Sequence, residues 1–136
     1  MEILMATLER RHSLLTLRQA LLIDAVISGL VGVSSFAGAR WLDSLLDLPS
    51  VLLAGSGAIM VVYAAGLVML ANRERISATG ARVVVAGNLV WAAACVALLV
   101  GGRIEPNAAG IAFVLVQIVV VIIFAEMQAM ALRAGR

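Results

Sequence analysis

Four side chains with chemical capacity interrupt the long apolar runs of this sequence: Asp24, Asn88, Gln117 and Glu126. A carboxylate at the centre of a bilayer costs about 2.5–3.5 kcal/mol on insertion scales. Such a group must face water or a partner, or take up a proton. Two carboxylates held close together cannot both stay ionised cheaply, so one keeps its proton. In a membrane bundle such a carboxyl can exchange its proton for a cation. On this reading Asp24 is the proton or cation site, Glu126 a coupled acid and Asn88 a hydrogen-bonding partner. Asp24 lies six residues after Arg18, and Asn88 six after Arg82. Both are therefore roughly 9 Å deeper than those arginines, at ~1.5 Å per helical residue. Glu126 falls about a turn shallower, so the three are expected in one polar layer. Gln117 precedes Glu126 by nine residues, which puts it on the opposite helix face and in another contact. The plainer role of the layer is structural. Asp24 would bond Asn88 or Ser28, or meet a snorkelling Arg18 or Arg82, and fix helix register.

Other chemistry finds little material. There is one Cys and one His, too few for a disulfide framework or a Cys-based zinc site. His12 has no second histidine, and Cys95, inside an apolar helix, reads as a small packing residue. Trp91 follows Asn88 by three positions and either packs or lines a cavity with Tyr63. No Ser/His/Asp set and no glycine-rich phosphate loop is present. The expectation is a protein without catalytic chemistry, metal or cofactor.

The elements that must position these residues follow from composition. Of 136 residues, 63% are hydrophobic and 13% charged, and mean hydropathy is +1.10. Soluble domains carry about 45–50% apolar and ~25% charged residues, so a water-soluble globule is excluded. A membrane-crossing helix needs about 20 mostly apolar residues. Four segments qualify: Leu14–Ala37, Val51–Ala71, Val83–Val100 and Ala108–Met127. The runs lack the alternation of transmembrane strands. Their short connections predict an all-α fold: one integral membrane domain over residues 1–136, with four transmembrane helices in an up-down-up-down bundle. Arg10, Arg11 and Ala37-Gly38-Ala39 could mark a signal peptide, but Arg18 and Asp24 interrupt its apolar core, so the first helix is expected to be retained.

Between the first two spans, Trp41, Leu42, Leu45 and Leu48 fall on one helical face and Arg40, Asp43, Ser44 and Asp47 on the other. This predicts a short interfacial helix ended by Pro49. The N-terminal piece, with Ile3, Leu4 and Leu8 against Glu2, Glu9, Arg10 and Arg11, either lies on the surface or frays.

All ten basic residues are arginines. Arg10, Arg11, Arg18, Arg73, Arg75, Arg82, Arg133 and Arg136 share one side of the bundle, against Arg40 and Arg103 on the other. Both termini are therefore expected in the cytoplasm. The arginines are spread over three short flanks, which does not signal nucleic-acid binding.

Leucine burial does not drive association in lipid; close backbone approach and interhelical hydrogen bonds do. Candidate seams are Ala25, Ser28, Gly29 and Gly32 in the first span, Gly55 and Gly57 in the second, and Gly87 in the third. They would serve the bundle, a homo-oligomer or a larger membrane complex.

Leu21-Leu22-Ile23-Asp24-Ala25, Ser28-Gly29, Leu48-Pro49, Asn88-x-x-Trp91, Ala112-Phe113-Val114-x-x-Gln117 and Phe124-Ala125-Glu126 together resemble the uncharacterised small four-span inner-membrane proteins of bacteria with Arg- and Ala-rich proteomes. The resemblance implies a bacterial inner-membrane location and a four-helix bundle, and no activity. In architecture the chain is similar to the small multidrug resistance transporters, where proton and cationic drug compete for a carboxylate in the first helix; Asp24 would take that place. Here the acid is Asp rather than Glu, and no aromatic-rich substrate motif is evident. Three functions are carried forward: an interaction or accessory subunit, a small proton-coupled carrier, and a lipid-binding or membrane-stress protein.

Overall fold

A computed structural model describes residues 1–5 and 16–135. Leu8, Glu9, Arg10, Arg11, His12, Leu14 and Arg136 therefore lie outside the described residues. Among those described there is no strand. A helical turn at residues 2–5 precedes five helices: α1 (Leu17–Ala37), α2 (Ala39–Leu46), α3 (Ser50–Ala71), α4 (Ala78–Val100) and α5 (Ala108–Arg133). All but α2 are long and apolar enough to cross a membrane. They form the expected four-helix, multi-pass bundle.

Local sequence sets the helix ends. Thr16 and Gln19 make a capping box on α1: the Thr16 hydroxyl accepts from the Gln19 N–H, and the Gln19 side chain accepts from the Thr16 N–H. Each satisfies a donor that the first turn leaves open. Ser77 caps α4 by accepting from the Gly80 N–H, so that helix starts five residues before the expected Val83. Asn107 caps α5 through Gly110. The last helix continues past Met127 to Arg133.

The surface helix α2 is present, but Pro49 does not end it. Asp47, in the left-handed region at φ 53°, closes it, and its N–H returns to the Asp43 carbonyl. Pro49 is instead the N-cap of α3. Asn107 donates to the carbonyls of Leu45 and Leu46, tying α2 to the start of α5. A side chain on Gly110 would run into the Leu46 carbonyl, so this junction requires glycine. Trp41 is 67% exposed, as suits a ring at head-group level.

Packing is uneven. Helix α1 lies along α3, α4 lies along α5, and α1 also meets α5; no comparable contact joins α3 to α4. Gly32 and Gly57 make the α1–α3 approach. A Cβ on Gly57 would stand 2.6 Å from the Gly32 carbonyl oxygen, and one on Gly32 2.9 Å from that of Gly57. Ala25 is buried in the core near the termini, and Gly29 is in ordinary contact with Ala64. Gly55 meets nothing within 4 Å, and Gly87 only the Tyr63 ring at 3.9 Å. Neither is a close seam within the chain. At the termini end Arg18 turns away from Asp24. Its guanidinium donates to the Ala71 and Arg73 carbonyls, closing the C-terminus of α3, where a cation also complements the helix dipole.

Candidate functional site

Asp24 is fully buried and receives a donor from every spanning helix. The Ser28 hydroxyl, one turn along α1, donates to Oδ1 at 2.8 Å. Tyr63 of α3 donates to Oδ2 at 3.1 Å. Asn88 of α4 and Gln128 of α5 donate to the same oxygen at 3.0 and 2.7 Å. The Asn88 amide also donates to the Gln128 side-chain oxygen at 3.1 Å. All four neighbours donate to the carboxyl oxygens. Among the described residues no cation shares the site: Arg18 is engaged at Ala71, and Arg82 is exposed. Among the described residues no buried side-chain nitrogen or oxygen lacks a partner.

Of the three residues expected in the polar layer, Asp24 and Asn88 come together. Glu126 does not join them. It is exposed on the outer face of α5, and Gln128 occupies the inner position. The reason is helical phase. The inward stripe of α5 runs through Val114, Val121, Ala125 and Gln128, and Glu126 follows Ala125 by about 100°. Gln117 lies elsewhere, as expected: it accepts from the Trp91 indole N–H at 3.2 Å. Gln128 was not singled out from sequence, although a signal exists. It follows Gln117 by eleven residues, about three turns, on the same stripe. Tyr63 was paired with Trp91 but not with Asp24.

One void adjoins this network and leads to a second. A cavity of about 220 Å³ is lined by Ser28, Tyr63, Gly87, Asn88 and Trp91 among others. Tyr63 and Trp91 thus share a cavity. Through Ile59 and Trp91 it borders a larger groove of about 530 Å³. This groove separates Val51–Ile59 of α3 from Trp91–Leu98 of α4, with Phe113 and Gln117 of α5 behind it. Cys95, half-buried, is on its wall. Gly55, where a Cβ would meet nothing within 4 Å, lines it as well. Toward the termini the gap closes, where Tyr63 reaches Asp24 and Leu70 packs against Gly80.

Among the described residues no three His, Cys, Asp or Glu side chains are grouped to hold a metal ion. Comparison with protein-family models, curated proteins and solved structures returned no match to this chain.

Proposed function

We propose that this protein binds a hydrophobic or amphiphilic molecule taken laterally from the bilayer, in the groove between α3 and α4. The observation that carries this reading is the groove itself. Its volume of about 530 Å³ falls within the 300–1,000 Å³ typical of small-molecule sites. Its walls are apolar, and its inner end reaches the Trp91–Gln117 pair. In this account the Asp24 network is the clamp that holds four helices in the arrangement that keeps the groove open.

Native mass spectrometry of the protein released from detergent tests it. The wild type should retain a bound lipid-sized molecule. Gly55→Phe and Ala94→Phe, which place bulk in the groove, should lose it while keeping their thermal stability. Equal retention in all three, or none in the wild type, would refute the proposal.

A second reading, a carrier exchanging its cargo against a proton on Asp24, is favoured by the cavity beside Ser28, Tyr63 and Asn88. These are three of the four donors to the carboxylate. A cationic cargo in that cavity would favour the charged carboxylate and so drive off a proton carried there. Binding of a lipophilic quaternary cation should then release protons from the wild type and none from Asp24→Asn. Binding without proton release in the wild type would discard this second reading.

A further inference from the structure

The groove has a length, a direction and a charged mouth, and together they select an occupant. Along α3 it extends from Val51 to Ile59, about 12 Å at ~1.5 Å per residue. A bilayer's hydrocarbon core is about 30 Å thick, so the groove is roughly one leaflet deep. A transmembrane helix from a partner or a second copy would need a seat across both leaflets; past Ile59 the seam narrows to the smaller cavity beside Tyr63 and Gly87, and it is shut where Leu70 packs against Gly80. One lipid tail of the leaflet remote from the termini needs no more than this depth.

The mouth lies at the head groups of that leaflet. Leu48 lines the groove, while its neighbours Asp47 and Pro49 line a shallow polar pocket of about 420 Å³ completed by Asp43, Arg103 and Glu105. Asp47, Arg103 and Glu105 are exposed, and no ion pair joins them among the described residues. Asp43 gives one oxygen to the Ser50 N–H. Three carboxylates and one guanidinium complement a head group that carries both an ammonium and a phosphate. Ammonium N–H groups donate to carboxylates, and a guanidinium fork suits phosphate. A quaternary ammonium has no N–H to donate. A purely anionic head group would meet an excess of negative charge.

Resting on the groove being a binding site, we infer that its occupant is an aminophospholipid of the leaflet remote from the termini. One acyl chain lies between α3 and α4 and reaches Trp91. The phosphate meets Arg103, and the ammonium meets Asp47 and Glu105.

The full-length protein, delipidated in detergent, is titrated with phosphatidylethanolamine, phosphatidylcholine and phosphatidylglycerol carrying identical chains. The wild type should bind phosphatidylethanolamine about tenfold more tightly than either other lipid, the difference that one good charge-assisted hydrogen bond supplies. The double variant Asp47→Asn/Glu105→Gln should bind all three alike; Asn suits the left-handed backbone of Asp47. Gly55→Phe should bind none. Equal binding of the three lipids by the wild type, with Gly55→Phe inactive, would overturn the head-group assignment and leave the groove as a site. A phosphatidylethanolamine preference that survives the double variant would also overturn the assignment. Failure of every lipid to bind the wild type would remove groove and assignment together.

Discussion

The side-chain amide of Gln128 donates to Asp24 Oδ2 at 2.7 Å, joining residues 104 positions apart and the last spanning helix to the first. Tyr63 and Asn88 reach the same oxygen from the two helices between. One buried carboxylate therefore fixes the rotation of all four spans. In lipid this matters more than in water, because burial of leucine against leucine supplies no net drive for association.

Replacing Asp24 by Leu should cost the most stability. It removes the buried acceptor shared by Ser28, Tyr63, Asn88 and Gln128. Interhelical hydrogen bonds in membrane proteins are worth about 0.6–1.7 kcal/mol each, so a loss of about 2–5 kcal/mol is expected. Asp24→Asn keeps one acceptor oxygen and should lose under about 2 kcal/mol. Thermal unfolding in detergent, followed by circular dichroism, checks both. Equal midpoints for Asp24→Leu and the wild type would show that the network does not hold the bundle.

On α5, Gln128→Leu should destabilise by about 1–3 kcal/mol, because it removes a donor to a carboxylate and an acceptor for Asn88. Glu126→Gln, on the exposed face two residues earlier, should stay within about 0.5 kcal/mol of the wild type. The same unfolding assay separates the two, and the reverse ranking would mean that the phase of this helix differs.

Glycine substitutions should divide by position. A methyl group at Gly57 or Gly32 meets backbone atoms at under 3 Å, and overpacking of that kind costs about 1–3 kcal/mol. At Gly55 and Gly66 nothing lies within 4 Å. Alanine there should be neutral or stabilising by up to about 1 kcal/mol, since it restricts the unfolded chain. Comparable unfolding midpoints for Gly57→Ala and Gly55→Ala would contradict the α1–α3 contact.

Asn107→Ala should destabilise the loop end of the bundle by about 1–3 kcal/mol. It removes both the cap on Gly110 and the bond to the Leu45 carbonyl, each worth about 1 kcal/mol. Hydrogen exchange should accelerate at Gly110 and across α2, with α1 unchanged. Uniform acceleration over the whole chain would mean that α2 does not open separately.

Much of the fold is legible in the sequence: the four spans follow from apolar length, and α2 from the apolar face of Trp41, Leu42, Leu45 and Leu48. Asp24 and Asn88 were legible because polar residues inside apolar runs are few. Glu126 misled for the same reason. Its charge drew attention, whereas helical phase, which decides what faces inward, favoured the uncharged Gln128 one residue beyond the expected span. Tyr63 was obscured because a tyrosine in a membrane helix serves packing as readily as hydrogen bonding. The groove was not legible. It arises from unequal packing, with α1 on α3 and α4 on α5, and the seams named from sequence, Gly55 and Gly87 among them, carried no information about which helices stay apart.

The central claim is that a lipid chain lies in the groove against Trp91. Trp41 is removed as Trp41→Phe, leaving Trp91 as the single tryptophan, and the protein is placed in bilayers whose lipids are brominated along one acyl chain. Trp91 fluorescence should be strongly quenched, and Gly55→Phe in the same background should restore most of it. Quenching that is absent, or that Gly55→Phe leaves unchanged, would contradict the claim.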